Sequence, residues 1–452
     1  MEYSEAVAQI LGFVDTIGTS SPSGLRSRYD LSQMEHFLDA LGNPHNGRVT
    51  AHIAGTKGKG STSAMTSSIL EAGRYSAGLF TSPHLHSFCE RIKVGNKDIT
   101  KQEFADLVEK LLPIREKTTL EGRKITLFEL LTAMAFSYFQ YRNVSAQVLE
   151  VGLGGRLDST NVVIPDVCGI TSLGLDHTEV LGDTIAKIAS EKGGIIKAGV
   201  PVVCASQETE ALEVLKDIAL NMGSPFSLVG EDIHWDLRSS DLTGQRFVLN
   251  TQNDTYDLKI PLLGEYQIIN AAVSVGMIEH LIAGGLEISK KDIEDGLSKV
   301  EWPCRMEVLQ EHPLLIADGA HNPHAAHAVV GSIRKLFPGW RIKLIVGIQS
   351  NHDADKLIEE LSILSPYCVF ATRSRHPRAI DSGQLYDMFE SYDCRVYKTE
   401  SVSQALDMCF NETGSNDLII AIGSLFVAAE VREIIKNIPP EDYPVFNAQR
   451  NA

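Results

Sequence analysis

Short apolar runs alternate along this chain with stretches whose apolar residues recur every three or four positions. Continuous runs of four to eight apolar residues read as buried strands, and the longer recurrence reads as helix. Residues 49–54, 146–151, 167–173 and 200–204 are runs of the first kind. Residues 61–72 and 184–192 carry the helical spacing. The rhythm restarts after residue 300, with apolar runs at 314–317, 342–348, 368–371 and 417–422. Strand–helix alternation of this kind predicts mostly parallel sheets with helices on both faces. Residues 1–48 read as helical, with Leu31, Met34, Phe37, Leu38 and Leu41 in register before the stop at Gly42-Asn43-Pro44. The stretch 225–262 differs: Phe247 and Leu249, then Tyr256, Leu258 and Ile260, alternate with polar residues, which predicts a small β excursion on the first domain. Two domains are expected, 1–300 and 301–452, divided after a helix over 289–299.

A length of 452 residues requires more than one core, in keeping with that division. The net charge of −17 argues against a partner read through its phosphate backbone. A small anionic substrate remains compatible with it, because a local basic pocket can sit in an acidic protein. No apolar run is long enough to span a bilayer, and the early acidic residues do not resemble a secretory signal. The seven cysteines are scattered and odd in number, as reduced thiols are. The expectation is a cytoplasmic protein with neither nucleic-acid nor membrane partners.

The chemistry concentrates after the strands. Gly55-Thr56-Lys57-Gly58-Lys59-Gly60-Ser61-Thr62 follows the 49–54 run and opens a helix. Glycines let successive N–H groups point at phosphate oxygens, and the helix adds its positive end. Lys59 is placed to reach the β- and γ-phosphates, and Ser61 or Thr62 to approach a metal. The spacing is tighter than the common P-loop. Glu150 closes the next run and precedes Gly152-Leu153-Gly154-Gly155, so its carboxylate falls at the sheet edge where ligands bind. Asp176-His177 follows a third run; Asp176 is expected to orient the His177 ring, which serves either as a metal ligand or structurally. His321, His324 and His327 fall on one arc of a helix begun by Asn322-Pro323, a cap and first-turn pair that is sufficient structural cause for them.

In order, the chain carries Gly55–Thr62, Ser82-Pro83-His84-Leu85, the segment from Glu150 to Asp158, Asp176-His177, Glu191-Lys192-Gly193-Gly194-Ile195-Ile196-Lys197 and Asp318-Gly319-Ala320-His321-Asn322-Pro323. This set resembles the folylpolyglutamate synthase/dihydrofolate synthase family of the Mur ligase superfamily, over about Arg28 to Arg432. The resemblance implies an α/β protein, a Mur-ligase-like P-loop ATPase domain followed by a Rossmann-like domain. It implies an ATP-dependent ligase that joins L-glutamate to dihydropteroate or to a folate through an acyl phosphate. Gly55, Thr56, Gly58, Lys59, Gly60, Ser61, Thr62, Asn270, Arg305, Asp318 and His321 then match nucleotide-binding positions. Ser82, Glu150 and His177 match Mg²⁺ positions, joined by Lys192 as a carbamate; residue by residue Lys192 would instead pass for a solvated helix charge. Lys59, His177 and Lys192 become the catalytic set. Thr126, Phe128, Glu129, Leu157, Asp158 and Ser159 match the pterin or folate pocket, although an aromatic such as Phe128 is as readily core. A monomer is implied.

Two departures stand out. Cys304, in Trp302-Pro303-Cys304-Arg305, occupies a position where the family usually has glycine, so the turn presenting Arg305 is expected to differ. Gln349-Ser350-Asn351-His352-Asp353 replaces a stretch that is usually more Asp- and Lys-like, which bears on the glutamate site. A peptidoglycan-precursor ligase is disfavoured by the short stretch before Gly55. A P-loop nucleotide-binding protein of this fold without folate ligase activity is the alternative.

Overall fold

The structure is a computed structural model that describes residues 1–13, 30–118, 120, 123–350, 353–414 and 416–441. Two compact units are distinguishable. The first comprises Met1–Arg238, Arg246–Ile260 and Gln267–Val300; the second comprises Ser239–Gln245, Pro261–Tyr266 and the chain from Glu301.

The first unit is built on β1 (Val49–Ala54), β2 (Ala77–Phe80), β3 (Ile92–Val94), β4 (Lys97–Asp98), β5 (Ala146–Glu150), β6 (Val167–Ile170), β7 (Val202–Cys204) and β8 (Phe226–Leu228), in the order β4-β3-β2-β5-β1-β6-β7-β8. All pairs from β2 to β8 are parallel; β3 and β4 add an antiparallel edge. β2, β5, β6 and β7 are buried at every position, as strands covered on both faces must be. β1 lies between β5 and β6, with Ile53 opposite Glu150 and Ala54 opposite Ile170. The three strands therefore end level, and the loops after them leave from one edge. Cys168, Ile170, Val202 and Cys204 pack with Ile185, Ala189 and Leu215 from the covering helices.

β9 (His234–Asp241), β10 (Gly244–Asn250) and β11 (Thr255–Ile260) form a separate three-stranded sheet. Phe247, Leu249, Tyr256, Leu258 and Ile260 are its buried positions, as their alternation predicts. The excursion is shorter than 225–262, because residues 226–228 pair with β7 as the last strand of the main sheet. Nor does it group wholly with the first unit, since Ser239–Gln245 falls in the second.

The second unit's sheet runs β12 (Glu307–Glu311), β13 (Leu314–Ala317), β17 (Asp417–Ile422), β14 (Arg341–Val346), β15 (Cys368–Ala371) and β16 (Arg395–Lys398). Every pair is parallel except β12–β13. Ile316, Leu344, Val346, Ile420 and Ile422 form its core with Val329, Ile333, Leu357 and Leu385 from the helices. The helix Pro323–Leu336 begins as read: the Asn322 side chain accepts from the Ala325 N–H at 3.0 Å and Pro323 takes the first turn.

The expected runs of the two sheets map onto β1, β5–β7 and β13–β15 with β17. The short strands β2–β4 give no periodicity to read. In the N-terminal stretch Tyr3–Leu11 and Ser32–Ala40 are helical; residues 14–29 lie outside the described residues, as do Asn351 and His352.

One ion pair secures the second sheet from within. Lys343, fully buried on β14, lies 3.2 Å from the buried Asp417 carboxylate on β17, which Arg341 also grips at 2.5 and 2.7 Å. Burial alone would push this carboxyl up, but the Arg341, Gly414 and Lys343 hydrogen bonds hold it down at about 2, from an ordinary 3.8. Its contribution is present above the unfolded value and is lost as the pH falls from 3.8 towards 2. Asp417→Ala leaves Lys343 buried without its counter-charge. It should destabilise the protein by about 3–5 kcal/mol in urea unfolding monitored by circular dichroism.

Candidate active site

β1 ends at Ala54 and the chain turns through Gly55 (φ +153°) and Gly58 (φ +89°) into the helix Lys59–Ala72. Both turns require the missing side chain. A Cβ on Gly55 would stand 1.8 Å from Thr171 Oγ1, and one on Gly58 would stand 2.2 Å from Asn270 Oδ1. Asn270, from the helix Glu265–Ala283, is thus set directly against the P-loop. The loop is fastened to the segment after β6: the Thr56 and Lys57 N–H groups donate to Ser172 O at 3.0 and 3.1 Å, and Thr56 Oγ1 donates to Gly174 O at 3.1 Å.

Three amines crowd this turn. Lys59 Nζ donates to Gly55 O at 3.0 Å, and Lys192 Nζ donates to the same oxygen at 2.9 Å. Lys57 Nζ pairs with Asp176 Oδ2 at 2.8 Å. Lys192 is 4% exposed; burial first, then the neighbouring Lys59 charge, brings its amine down to about 7. It is thus not the solvated charge that its place in a helix suggests. The Thr62 hydroxyl, one turn into the helix, is fully buried without a hydrogen-bond partner, while Ser61 is buried beside it.

Glu150 closes β5 with 4% exposure, and its Oε2 accepts from the Ser82 N–H at 3.0 Å, so two of the Mg²⁺ candidates are adjacent. Buried carboxylate and hydroxyl oxygens are the donor chemistry of a hard cation. The His177 backbone is left-handed (φ +50°) and its ring half exposed, 3.9 Å from Asp176 and 3.8 Å from Glu179. Asp176 gives its Oδ2 to Lys57 at 2.8 Å, while its Oδ1 accepts from the His177 N–H at 3.1 Å. Among the described residues no three His, Cys, Asp or Glu side chains converge as a metal cluster.

In the second unit, Arg305, Asp318 and His321 gather around one turn. Asp318, 3% exposed, accepts from the Met306 and Ala320 N–H groups at 2.8 and 2.7 Å; burial raises its carboxyl while Arg305 opposes the rise. Arg305 donates to Cys304 O at 2.9 Å, and His321 Nδ1 donates to Gly319 O at 2.8 Å. Cys304 itself adopts φ +55°, the left-handed conformation that favours glycine. The cysteine thus sits in a backbone conformation suited to glycine, its N–H donating to Glu307 at 2.9 Å. His327 reaches Glu360 at 3.1 Å.

Comparison with known proteins decides what this arrangement belongs to. Residues 53–278 match the Mur ligase middle domain, and residues 304–425 match the Mur ligase glutamate ligase domain. A Bacillus subtilis dihydrofolate synthase/folylpolyglutamate synthase is 34% identical over 410 residues, 90% of this chain and 95% of that one. The chain belongs to the dihydrofolate synthase/folylpolyglutamate synthase family of Mur ligases. It is thereby an ATP-dependent ligase, and its fold class is the expected one. A Mycobacterium tuberculosis folylpolyglutamate synthase complexed with ADP and AMPPCP superposes with a TM-score of 0.86 at 28% identity, covering 96% of this chain and 100% of that one. An Escherichia coli relative in complex with DHPP and ADP gives 0.82 at 28% identity, covering 95% and 98%.

The family's expected pterin-pocket residues fall into two groups. Phe128 packs against Gly152, where a Cβ would approach its ring to 2.4 Å, and lies 5.8 Å from Phe80. Ser159 Oγ is 2.9 Å from Thr132 Oγ1, so the helix Leu127–Tyr141 abuts the loop after Glu150. Leu157 is half-buried in that loop. Thr126 and Glu129 are engaged at the helix start as a capping box, with Glu129 also gripped by Arg123 at 2.6 Å. Asp158 is buried and accepts from the Gly152, Leu153 and Thr160 N–H groups. Sequence reasoning missed Arg123 and the Lys57–Asp176 pair; the Thr126-x-x-Glu129 box was a legible signal for the first helix turn.

Gly58→Ala should abolish nucleotide binding while leaving a folded protein, because its Cβ drives Asn270 out of the loop and φ +89° strains the turn. Calorimetric titration with Mg-ADP, beside a thermal melt, checks this.

Proposed function

We propose that this protein cleaves ATP to join L-glutamate to the carboxylate of dihydropteroate, to the glutamate tail of a folate, or to both. The observation that carries the reading is the P-loop whose Gly55 carbonyl collects both Lys59 and Lys192. It stands beside buried Glu150 at the sheet edge of a chain from this ligase family. The relatives named dihydrofolate synthase/folylpolyglutamate synthase support this pair of acceptors.

In this mechanism the loop amides and Lys59 hold the β- and γ-phosphates, with Asn270, Arg305, Asp318 and His321 serving the rest of the nucleotide. Ser82, Glu150, His177 and Lys192 as its carbamate would hold Mg²⁺, with Ser61 or Thr62 nearby; the ion supplies charge neutralisation at the transferring phosphoryl group. Lys192 adds CO₂ through its neutral amine, which burial favours, and releases a proton to become an anionic oxygen donor. Lys59 stabilises the charge on the γ-phosphoryl as it passes to the acceptor carboxylate. The glutamate amine then attacks the acyl phosphate, forming the amide and releasing phosphate. Thr126, Phe128, Glu129, Leu157, Asp158 and Ser159 shape the acceptor pocket, Phe128 with its ring face and Asp158 and Ser159 by fixing the loop. The free cysteines among the described residues support a reducing cytoplasm, and a monomer without nucleic-acid or membrane partners completes the reading.

ADP release from Mg-ATP and L-glutamate, with dihydropteroate or tetrahydrofolate supplied separately, tests it. Release with neither acceptor would leave a nucleotide-binding protein of this fold. Lys59→Ala should lower the rate by about 10² or more, the scale set by loss of a charge-stabilising donor. In ¹³C-bicarbonate, a carbamate carbonyl signal should appear in NMR spectra of the wild type and be missing from Lys192→Met.

A further inference from the structure

His52 lies on β1, three residues before Gly55, and is fully buried. Its Nε2 is 2.8 Å from Thr160 Oγ1. The Thr160 hydroxyl in turn donates to Asp158 Oδ1 at 2.6 Å; although burial raises this carboxyl, its two oxygens are taken up by the Thr160, Gly152 and Leu153 N–H donors, which leaves the hydroxyl as the donor of this bond. The single hydroxyl proton is therefore committed to Asp158, and Thr160 can only accept from the imidazole. That fixes the Nε2–H tautomer and leaves Nδ1 with a lone pair. Nδ1 is indeed buried with no hydrogen-bond partner. Burial, aided by the Lys197 charge, keeps the ring neutral by lowering its pKa to about 3.

The other end of this chain of bonds is the loop after Glu150. Asp158 Oδ2 accepts from the Gly152 and Leu153 N–H groups at 3.0 and 2.9 Å. The same loop leans on the end of the Lys192 helix. A Cβ on Gly155 would come 3.0 Å from Lys192 Cα, Arg156 N–H donates to Glu191 O at 2.8 Å, and Asn161 Nδ2 donates to Gly194 O at 3.1 Å. One polar thread thus runs from the strand that carries the P-loop to the segment lying between Glu150 and Lys192.

We propose that His52 is a positioning residue for the reaction: through Thr160 and Asp158 it sets the 152–158 loop, and with it Glu150 and Lys192, against the P-loop. The inference rests on the proposed ligase activity for its kinetic readout. An apolar residue of similar size would fill the space yet leave the Thr160 oxygen without its donor. Displacements below 1 Å among such groups cost rate rather than binding, because the reacting atoms are misaligned while the phosphates remain held.

Three variants test the thread: His52→Leu, Thr160→Val, and His52→Gln, whose amide can replace the Nε2 donor. ADP release is measured with dihydropteroate and tetrahydrofolate in parallel, with thermal melts and hydrogen exchange at Gly152 and Leu153. We expect His52→Leu and Thr160→Val each to lower kcat about tenfold or more with little change in KM for ATP. The double variant should be no worse than either alone, the mark of one shared path. His52→Gln should recover most of kcat, and His52→Leu should speed exchange at Gly152 and Leu153. A folded His52→Leu enzyme with wild-type kcat, or His52→Gln as impaired as His52→Leu, overturns the assignment. If His52→Leu does not fold, an unimpaired Thr160→Val enzyme does the same. Wild-type protein inactive with both acceptors would sink the ligase reading instead; unchanged exchange at Gly152 and Leu153 in His52→Leu would then sink the thread independently.

Discussion

The Gly55 carbonyl accepts hydrogen bonds from two lysine amines of very different sequence origin, and this shared acceptor fixes the centre of the first unit. Lys59 reaches it from the helix that the P-loop opens, whereas Lys192 arrives from a helix more than a hundred residues later. Two ammonium groups so close repel one another, and the one with less water yields its proton more readily. Lys192 is that one, being nearly sealed from solvent while Lys59 is partly exposed. The arrangement marks out Lys192 chemically, its amine brought down to about 7 by burial and by the neighbouring Lys59 charge.

Close packing of backbone on backbone makes that convergence feasible. Gly155 lets the loop after Glu150 touch the Lys192 helix, and Gly194 admits Arg156, whose Cβ would stand 2.3 Å from an added side chain. The level ends of β1, β5 and β6 then deliver Gly55, Glu150 and the Thr171–His177 segment to a common edge. Parallel topology is what brings them there, since each strand leaves the sheet in the same direction. The second unit repeats the device on its own sheet, where Asp318 follows β13 and ties down the turn from Cys304 to Met306.

Buried and half-buried carboxylates serve here as fasteners. Asp176 neutralises Lys57, Asp158 gathers three backbone N–H groups, and Asp417 balances Lys343 and Arg341. Each carboxylate has a local structural task, as Glu129 has in capping its helix and holding Arg123.

The chain alone determined most of its strands, the glycine-rich turn after β1 and the place of Glu150, because these depend on short-range pattern: runs of apolar residues, glycines at a turn, an acid at a strand end. Family membership was also legible, carried by six motifs in order. The short strands β2–β4 escaped notice because two to four residues hold no period, and β8 was misjudged because pairing with β7 is a long-range event. Only the tertiary structure decided which charges meet. Asp176 meets Lys57, Lys192 is sealed rather than solvated, and His52 acquires Thr160 across more than a hundred residues. Cys304 keeps a turn suited to glycine because its neighbours hold it there. Burial and partner choice arise from packing between distant segments, and no local window of sequence contains them.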